Sequence, residues 1–151
     1  MKLDSVLVVC TGNICRSPLG EALLRQLLPG KRIASAGTCA LAGQAADGCT
    51  AGIAASHGVS LTGHHARQFT PALGQQFDLI LVMAPAHREY IAAIAPALRG
   101  KTLFFGHWIG TQTIPDPYGC GEAVSEAVYR LIARAARCWA VAVTGGLACH
   151  P

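Results

Sequence analysis

Apolar positions in this chain fall either into short unbroken runs or into longer stretches at helical spacing, and the two kinds alternate. Residues 6–9, VLVV, are the first run, β-branched and apolar throughout, the pattern of a strand buried on both faces of a parallel sheet. Ser17 and Pro18 then predict a helix N-cap followed by proline at the first helical position. The helix continues through EALLRQLL, with Leu19, Ala22, Leu23 and Leu27 at helical spacing, and Pro29 and Gly30 stop it. A second strand is expected over 32–36, turning at Gly37. Residues 47–57 read as an Ala-rich helix closed by Gly58, 58–70 as loop and 71–76 as a short helical piece. DLILVM, 78–83, is the strongest strand pattern, followed by a helix over 85–95 and a fourth strand over 101–105. Residues 106–121 are rich in glycine and proline and read as loop. A long amphipathic helix from 122 to about 143 places Val124, Val128, Leu131, Ile132, Ala135 and Trp139 on one face.

Strands alternating with helices predict an α/β fold, a parallel sheet with helices on both faces. The length fits one domain, expected over 1–144, with a loosely ordered tail over 145–151. The net charge of +4 is mild and not gathered into a run, which argues against nucleic acid as a partner and suits an anionic substrate. The N-terminus lacks the architecture of a signal peptide, and no apolar stretch reaches membrane-spanning length. The seven cysteines are odd in number, form no CxxC pair and match no zinc-site spacing. A cytoplasmic protein with reduced thiols, no membrane insertion, no metal and no cofactor is expected. With no coiled-coil heptads, a monomer is expected too.

One thiol stands apart. In VLVVCTGNICRSP, Cys10 ends the first strand, on the side where open α/β sheets bind ligands. From Thr11 to Ser17 the chain must curl so that successive N–H groups face one point, a nest for an anion. Gly12 and Asn13 tolerate the dihedrals such a curl needs. The following helix contributes the positive end of its dipole, and Arg16 a planar fork for two phosphate oxygens. A cysteine in such a cradle is a credible nucleophile for phosphoryl transfer, and Ser17 can donate to its thiolate. The loop is not a nucleotide loop, because no lysine follows and no carboxylate is placed to hold magnesium. The leaving alkoxide or phenoxide needs a proton donor. Asp4, Asp47 and Asp78 are explained by element starts, whereas Asp116 lies in a loop between Pro115 and Pro117. On these grounds alone Asp116 reads equally as a turn residue or as the acid.

CTGNICRSP with a distant DPYG strongly resembles the low-molecular-weight protein tyrosine phosphatases. SAGT at 35–38, HGVSLTGHHARQ at 57–68, FDLILVM at 77–83 and FGHW with IPDPYG at 105–119 extend the likeness over all but the tail. The FGHW and ARQ segments resemble the bacterial branch encoded with capsule or exopolysaccharide export machinery. The resemblance implies a three-layer sandwich around a four-stranded parallel sheet in the order 2-1-3-4. It also implies hydrolysis of phosphotyrosine through a cysteinyl-phosphate, with the autophosphorylated tyrosine cluster of a membrane-associated tyrosine kinase as substrate. Carried over residue by residue, Cys10 is the nucleophile, Arg16 the phosphate clamp and Asp116 the general acid and later base. Thr11, Gly12, Asn13, Ile14, Cys15 and Ser17 complete the loop that takes phosphate or another oxyanion. Ser35 and His64, in preference to His65, are expected in the supporting hydrogen-bond network. Tyr118 and Leu41 are expected to wall the substrate cleft. Cys15 either packs beneath the loop or forms a protective reversible disulfide with Cys10. The chain departs from its relatives at ADG, 46–48, commonly ADP, and at Gly119, where eukaryotic members often place a second aromatic.

Two other activities share the scaffold. Arsenate reductases need a cysteine pair after the third strand, where this chain reads LVMAPAHREY. Protein arginine phosphatases carry threonine where Ile14 stands and phenylalanine in place of Tyr118. Ile14 should crowd a guanidinium and favour a flat phenol. Phosphoserine is expected to fail because its shorter stem does not bring phosphate to the base of an aromatic-walled cleft.

Overall fold

The computed structural model describes residues 3–145. Four parallel strands make one sheet in the order β2-β1-β3-β4: β1 is Ser5–Cys10, β2 Arg32–Gly37, β3 Leu79–Val82 and β4 Thr102–Phe104. The helices are α1 Arg16–Leu27, α2 Gly48–Ser56, α3 Pro71–Gln75, α4 Pro85–Ile94 and α5 Glu122–Val143. The parallel pairing is the one the alternation of strands and helices predicts, and the order is the one the family resemblance implies. A 3-10 turn, Pro96–Lys101, leads into β4, and a second, His107–Ile109, interrupts the long loop that follows it.

Because successive side chains of a strand point to opposite faces, β1 divides between two cores. Val6 and Val8 pack under α1 and α5 with Leu23, Leu24, Ile132 and Trp139, whereas Leu7 and Val9 face Phe69, Ile80, Ile91 and Leu98 on the other side. Three layers result, and the unbroken apolar run of β1 is explained by burial on both faces. Trp139 is fixed in place by its indole N–H, which donates to the Phe105 carbonyl at 2.8 Å. Tyr129 is buried and stacks on His57, and half-buried Tyr90 packs beside the second core, so both serve packing.

Several expectations are corrected. The first helix begins at Arg16, not after a Ser17 cap: Cys15 is the N-cap and no side chain caps it. The Ser17 hydroxyl is engaged elsewhere, as described below, and so cannot serve the helix end. Asp47 does cap α2, accepting from the Thr50 amide at 3.1 Å, so Gly48 opens the helix without difficulty. Val124, expected on the buried face of α5, is exposed, because the helix turns its first inward positions, Ser125 and Val128, toward the core. Cys10, Cys15, Cys39, Cys49 and Cys120 are free thiols, but Cys138 is disulfide-bonded, against the expectation of reduced thiols. Of the expected tail 145–151, all but Gly145 lies outside the described residues.

Candidate active site

The end of β1 passes directly into a tight loop that β2 helps to shape. Cys10 pairs with Gly37 at the last register position. A side chain on Gly37 would run into the Thr11 carbonyl oxygen and crowd Asn13, so the loop can lie this close only over glycine. The segment after β2 then takes up the loop's carbonyls in turn. The Thr38 amide donates to Cys10 O at 2.9 Å, Cys39 to Thr11 O at 3.0 Å and Leu41 to Gly12 O at 3.1 Å. His64 Nε2 reaches Asn13 O at 2.7 Å, and the Asp47 amide reaches Ile14 O at 2.8 Å. In a trans peptide the N–H points opposite to its carbonyl, and no cis bond occurs here. Five consecutive carbonyls drawn outward therefore turn the amides of residues 11–15 inward. That is the anion nest, and α1 begins immediately after it.

Asn13 holds the curl. It is fully buried and is the one non-glycine residue with positive φ, 59°, among the described residues. Asparagine tolerates this conformation better than most residues, and its side chain is satisfied at every atom. Nδ2 donates to Ser17 Oγ at 2.8 Å and to Ser35 Oγ at 3.0 Å, while Oδ1 accepts from the Arg67 amide at 2.9 Å. Ser35 in turn donates to Glu21 at 2.6 Å. Because Ser17 Oγ already accepts from Asn13, its own hydrogen is free for Cys10 Sγ, 2.9 Å away, the nearer of its two remaining neighbours. A hydroxyl so placed stabilises negative charge on the sulfur and explains why Ser17 does not cap the helix. Of the two neighbouring histidines, it is His64 that makes the contact to the loop. His65 is exposed and makes only a long contact, 3.5 Å, to Gly43 O.

Arg16 is buried, with Nη1 donating to Ile114 O at 2.9 Å and Nη2 lying 3.8 Å from Asp116 Oδ2. Asp116 is half exposed, and its other oxygen accepts from the Tyr118 amide at 3.1 Å in a turn pinned by the flanking prolines. Cys10, Thr11, Gly12, Ile14, Cys15, Arg16, Cys39, Leu41, Asp116 and Tyr118 line one open cleft of about 240 Å³. Tyr118 and Leu41 are exposed on it, and Ile14 is buried. A larger cavity, about 590 Å³, opens between α1 and the 59–67 segment, with Ser35, His64 and Arg67 in its walls. It contains neither the thiol nor the acid. Among the described residues no group of three or more His, Cys, Asp or Glu side chains gathers to hold a metal.

Cys15 lies beneath the loop beside Thr50, and burial pushes its thiol pKa up to about 12. Two neighbours of the cleft escaped sequence reasoning. Cys39 is an exposed cysteine in its wall, and no sequence spacing relates it to Cys10. His87, at the start of α4, places Nε2 2.8 Å from Thr11 Oγ1, and only its alignment with helix-start residues was visible in sequence.

The chain matches the family model described as low molecular weight phosphotyrosine protein phosphatase over residues 5–146. It is 49% identical over 140 residues to the Escherichia coli K12 low molecular weight protein-tyrosine-phosphatase Etp, covering 93% of this chain and 95% of that protein. The crystal structure of the tyrosine phosphatase Wzb from Escherichia coli K30 in complex with sulphate is similar at TM-score 0.92 and 50% identity, over 93% of this chain and 99% of that one. The arginine phosphatase YwlE from Geobacillus stearothermophilus shares the fold at TM-score 0.87 with 28% identity, over 93% of each chain.

Proposed function

The chain belongs to the low molecular weight phosphotyrosine protein phosphatase family and is a protein-tyrosine phosphatase; on that premise we propose that Cys10, Arg16 and Asp116 carry its reaction. The observation that supports this is the nest of inward amides closed by Arg16 around a thiol that Ser17 touches at 2.9 Å. Phosphate enters with its oxygens on the amides of residues 11–15 and on the Arg16 fork. Cys10 Sγ attacks phosphorus, the P–O bond to the tyrosine ring breaks, and Asp116 delivers a proton to the departing phenolate. Asp116 then takes a proton from water, the hydroxide attacks phosphorus, and the S–P bond breaks to return the Cys10 thiolate and release phosphate. Gly12 and Ile14 give the loop its floor, and Asn13, Ser35 and His64 keep it curled. Tyr118 and Leu41 flank the substrate ring.

The substrate in this reading is the autophosphorylated tyrosine cluster of a membrane-associated kinase that governs exopolysaccharide or capsule export. The protein meets it in the cytoplasm as a monomer. The likeness of the FGHW and ARQ segments to the exopolysaccharide-associated branch supports this assignment. No helix among the described residues is long and apolar enough to cross a membrane. Cys15 is the partner for a protective disulfide. A hydroperoxide oxidises the Cys10 thiolate to a sulfenic acid, and the Cys15 thiol then displaces water to form the S–S bond. With Cys15 held as the neutral thiol by burial, closure is slow near neutral pH.

Phosphate release from matched phosphotyrosine, phosphoarginine and phosphoserine peptides, without added metal and with Cys10→Ser as blank, tests the assignment. Turnover of phosphotyrosine alone is expected. Preference for phosphoarginine would overturn the specificity argued from Ile14 and Tyr118.

A further inference from the structure

His87 is 4% exposed, and its Nδ1 is buried without any partner. A ring nitrogen left this way costs least as a bare lone pair, since orphaned buried N–H groups are the rarer case. That consideration puts the ring proton on Nε2, which then donates to Thr11 Oγ1 at 2.8 Å. Burial, and then the nearby Arg16 charge, lower the His87 pKa to about 4, so the ring is neutral at ordinary pH. The same Thr11 oxygen receives Arg16 Nη2 at 3.5 Å. Two donors converge on one hydroxyl oxygen, and neither can accept the hydroxyl's own hydrogen. Thr11 is exposed in the wall of the cleft that also holds Cys10 and Arg16.

We propose that Thr11 is a further catalytic residue, its hydroxyl donating to a phosphoryl oxygen beside Arg16, and that His87 is the positioning residue that turns the hydroxyl that way. The proposal rests on the reading of the Cys10–Arg16 loop as the phosphate site. It adds a side-chain donor to the backbone amides at a point where charge gathers in the transition state. It also gives a buried histidine with one unsatisfied nitrogen a use beside the loop, since the ring serves the hydroxyl and not the core.

The test is steady-state turnover of a phosphotyrosine peptide, with vanadate inhibition and thermal unfolding measured on each protein. Thr11→Val keeps the shape of the side chain and removes the hydroxyl. It is expected to lower kcat/KM about tenfold, the loss of a single side-chain hydrogen bond, to weaken vanadate in parallel, and to leave the unfolding midpoint in place. His87→Leu should lose activity in the wild-type background and lose nothing further when added to Thr11→Val. His87→Gln, whose amide can still donate, should lose less than His87→Leu. Thr11→Val turning over like wild type, or His87→Leu costing as much with Val at position 11 as with Thr, would overturn the proposal. A wild-type protein inactive on the peptide would instead overturn the phosphate-site reading beneath it.

Discussion

The Cys10–Ser17 loop and the Pro115–Tyr118 turn line one cleft and are built on opposite plans. From Cys10 to Ser17 all residues but Thr11 and Gly12 are buried, and five successive carbonyls are each taken by a donor from elsewhere in the chain. From Pro115 to Tyr118 only Pro117 is buried, and the turn is held by its own neighbours: the Asx contact, the two prolines, the Cys120 amide on Pro117 O at 3.0 Å and long contacts from the Cys120 thiol. The two meet through Ile114, whose amide donates to Met83 O at 2.7 Å and whose carbonyl accepts from Arg16. A site for a trianionic transition state benefits from donors that cannot relax, because reorganisation would spend the stabilisation they provide. In the proposed reaction Asp116 and Tyr118 must instead admit the substrate and release the phenol. On the proposed reading, fixed charge recognition and an exposed acid are segregated into separate segments.

Substitutions on the two sides should separate catalysis from stability. Asp116→Asn should lower kcat on a phosphotyrosine peptide by roughly 10²–10⁴-fold while leaving the urea unfolding midpoint unchanged. Loss of stability comparable to a core substitution would contradict the division. Asn13→Ala acts on the other side: it removes three hydrogen bonds, two buried and one half-buried, and places alanine at φ 59°. At roughly 1 kcal/mol for each bond and for the dihedral, it should cost about 4 kcal/mol of unfolding free energy, together with oxyanion affinity. Retention of full stability with lost activity would place Asn13 among groups acting on substrate instead.

His87 has a folded pKa of about 4 against an ordinary 6.5, lowered first by burial and then by Arg16, with Asp116 opposing. The unfolded chain binds this proton more readily, so the His87 contribution is fully present above pH 6.5 and is lost as pH falls toward 4. The difference of about 2.5 units corresponds to about 3 kcal/mol over that window. Unfolding free energies of His87→Gln should fall less steeply between pH 6.5 and 4 than those of wild type. Identical slopes would show that the ring is not held neutral. The smallest effect belongs to the exposed wall. Tyr118→Ala should raise KM about fivefold, the equivalent of about 1 kcal/mol of ring contact, with kcat for a small aryl phosphate nearly unchanged. An equal fall in kcat would tie Tyr118 to the position of Asp116.

What was legible in the sequence follows the same division. Local pattern was enough for β1, for the curl after it and for the long helix, because each is determined by residues a few positions apart. The family resemblance supplied the sheet order and the distant acid. The start of α1 was misplaced because Ser17 has two uses for one hydroxyl, and only the fold brings Cys10 and Asn13 near enough to claim it. Val124 fits the apolar stripe of α5 by spacing, yet at that end the helix turns Ser125 toward α2 and leaves Val124 on the outside. His87 was invisible for a related reason. Its partner Thr11 is 76 residues away, and a histidine near a helix start carries no mark of what it will touch.

The central claim is that phosphate passes through Cys10. The direct measurement is a rapid-mixing burst with p-nitrophenyl phosphate on Asp116→Ala, whose easily expelled phenol needs no acid but whose second step lacks its base. The account predicts one equivalent of nitrophenol per enzyme, followed by slow turnover, with the phosphate found by mass spectrometry on the peptide containing Cys10. A linear release with no burst, or phosphate on any other residue, would contradict it.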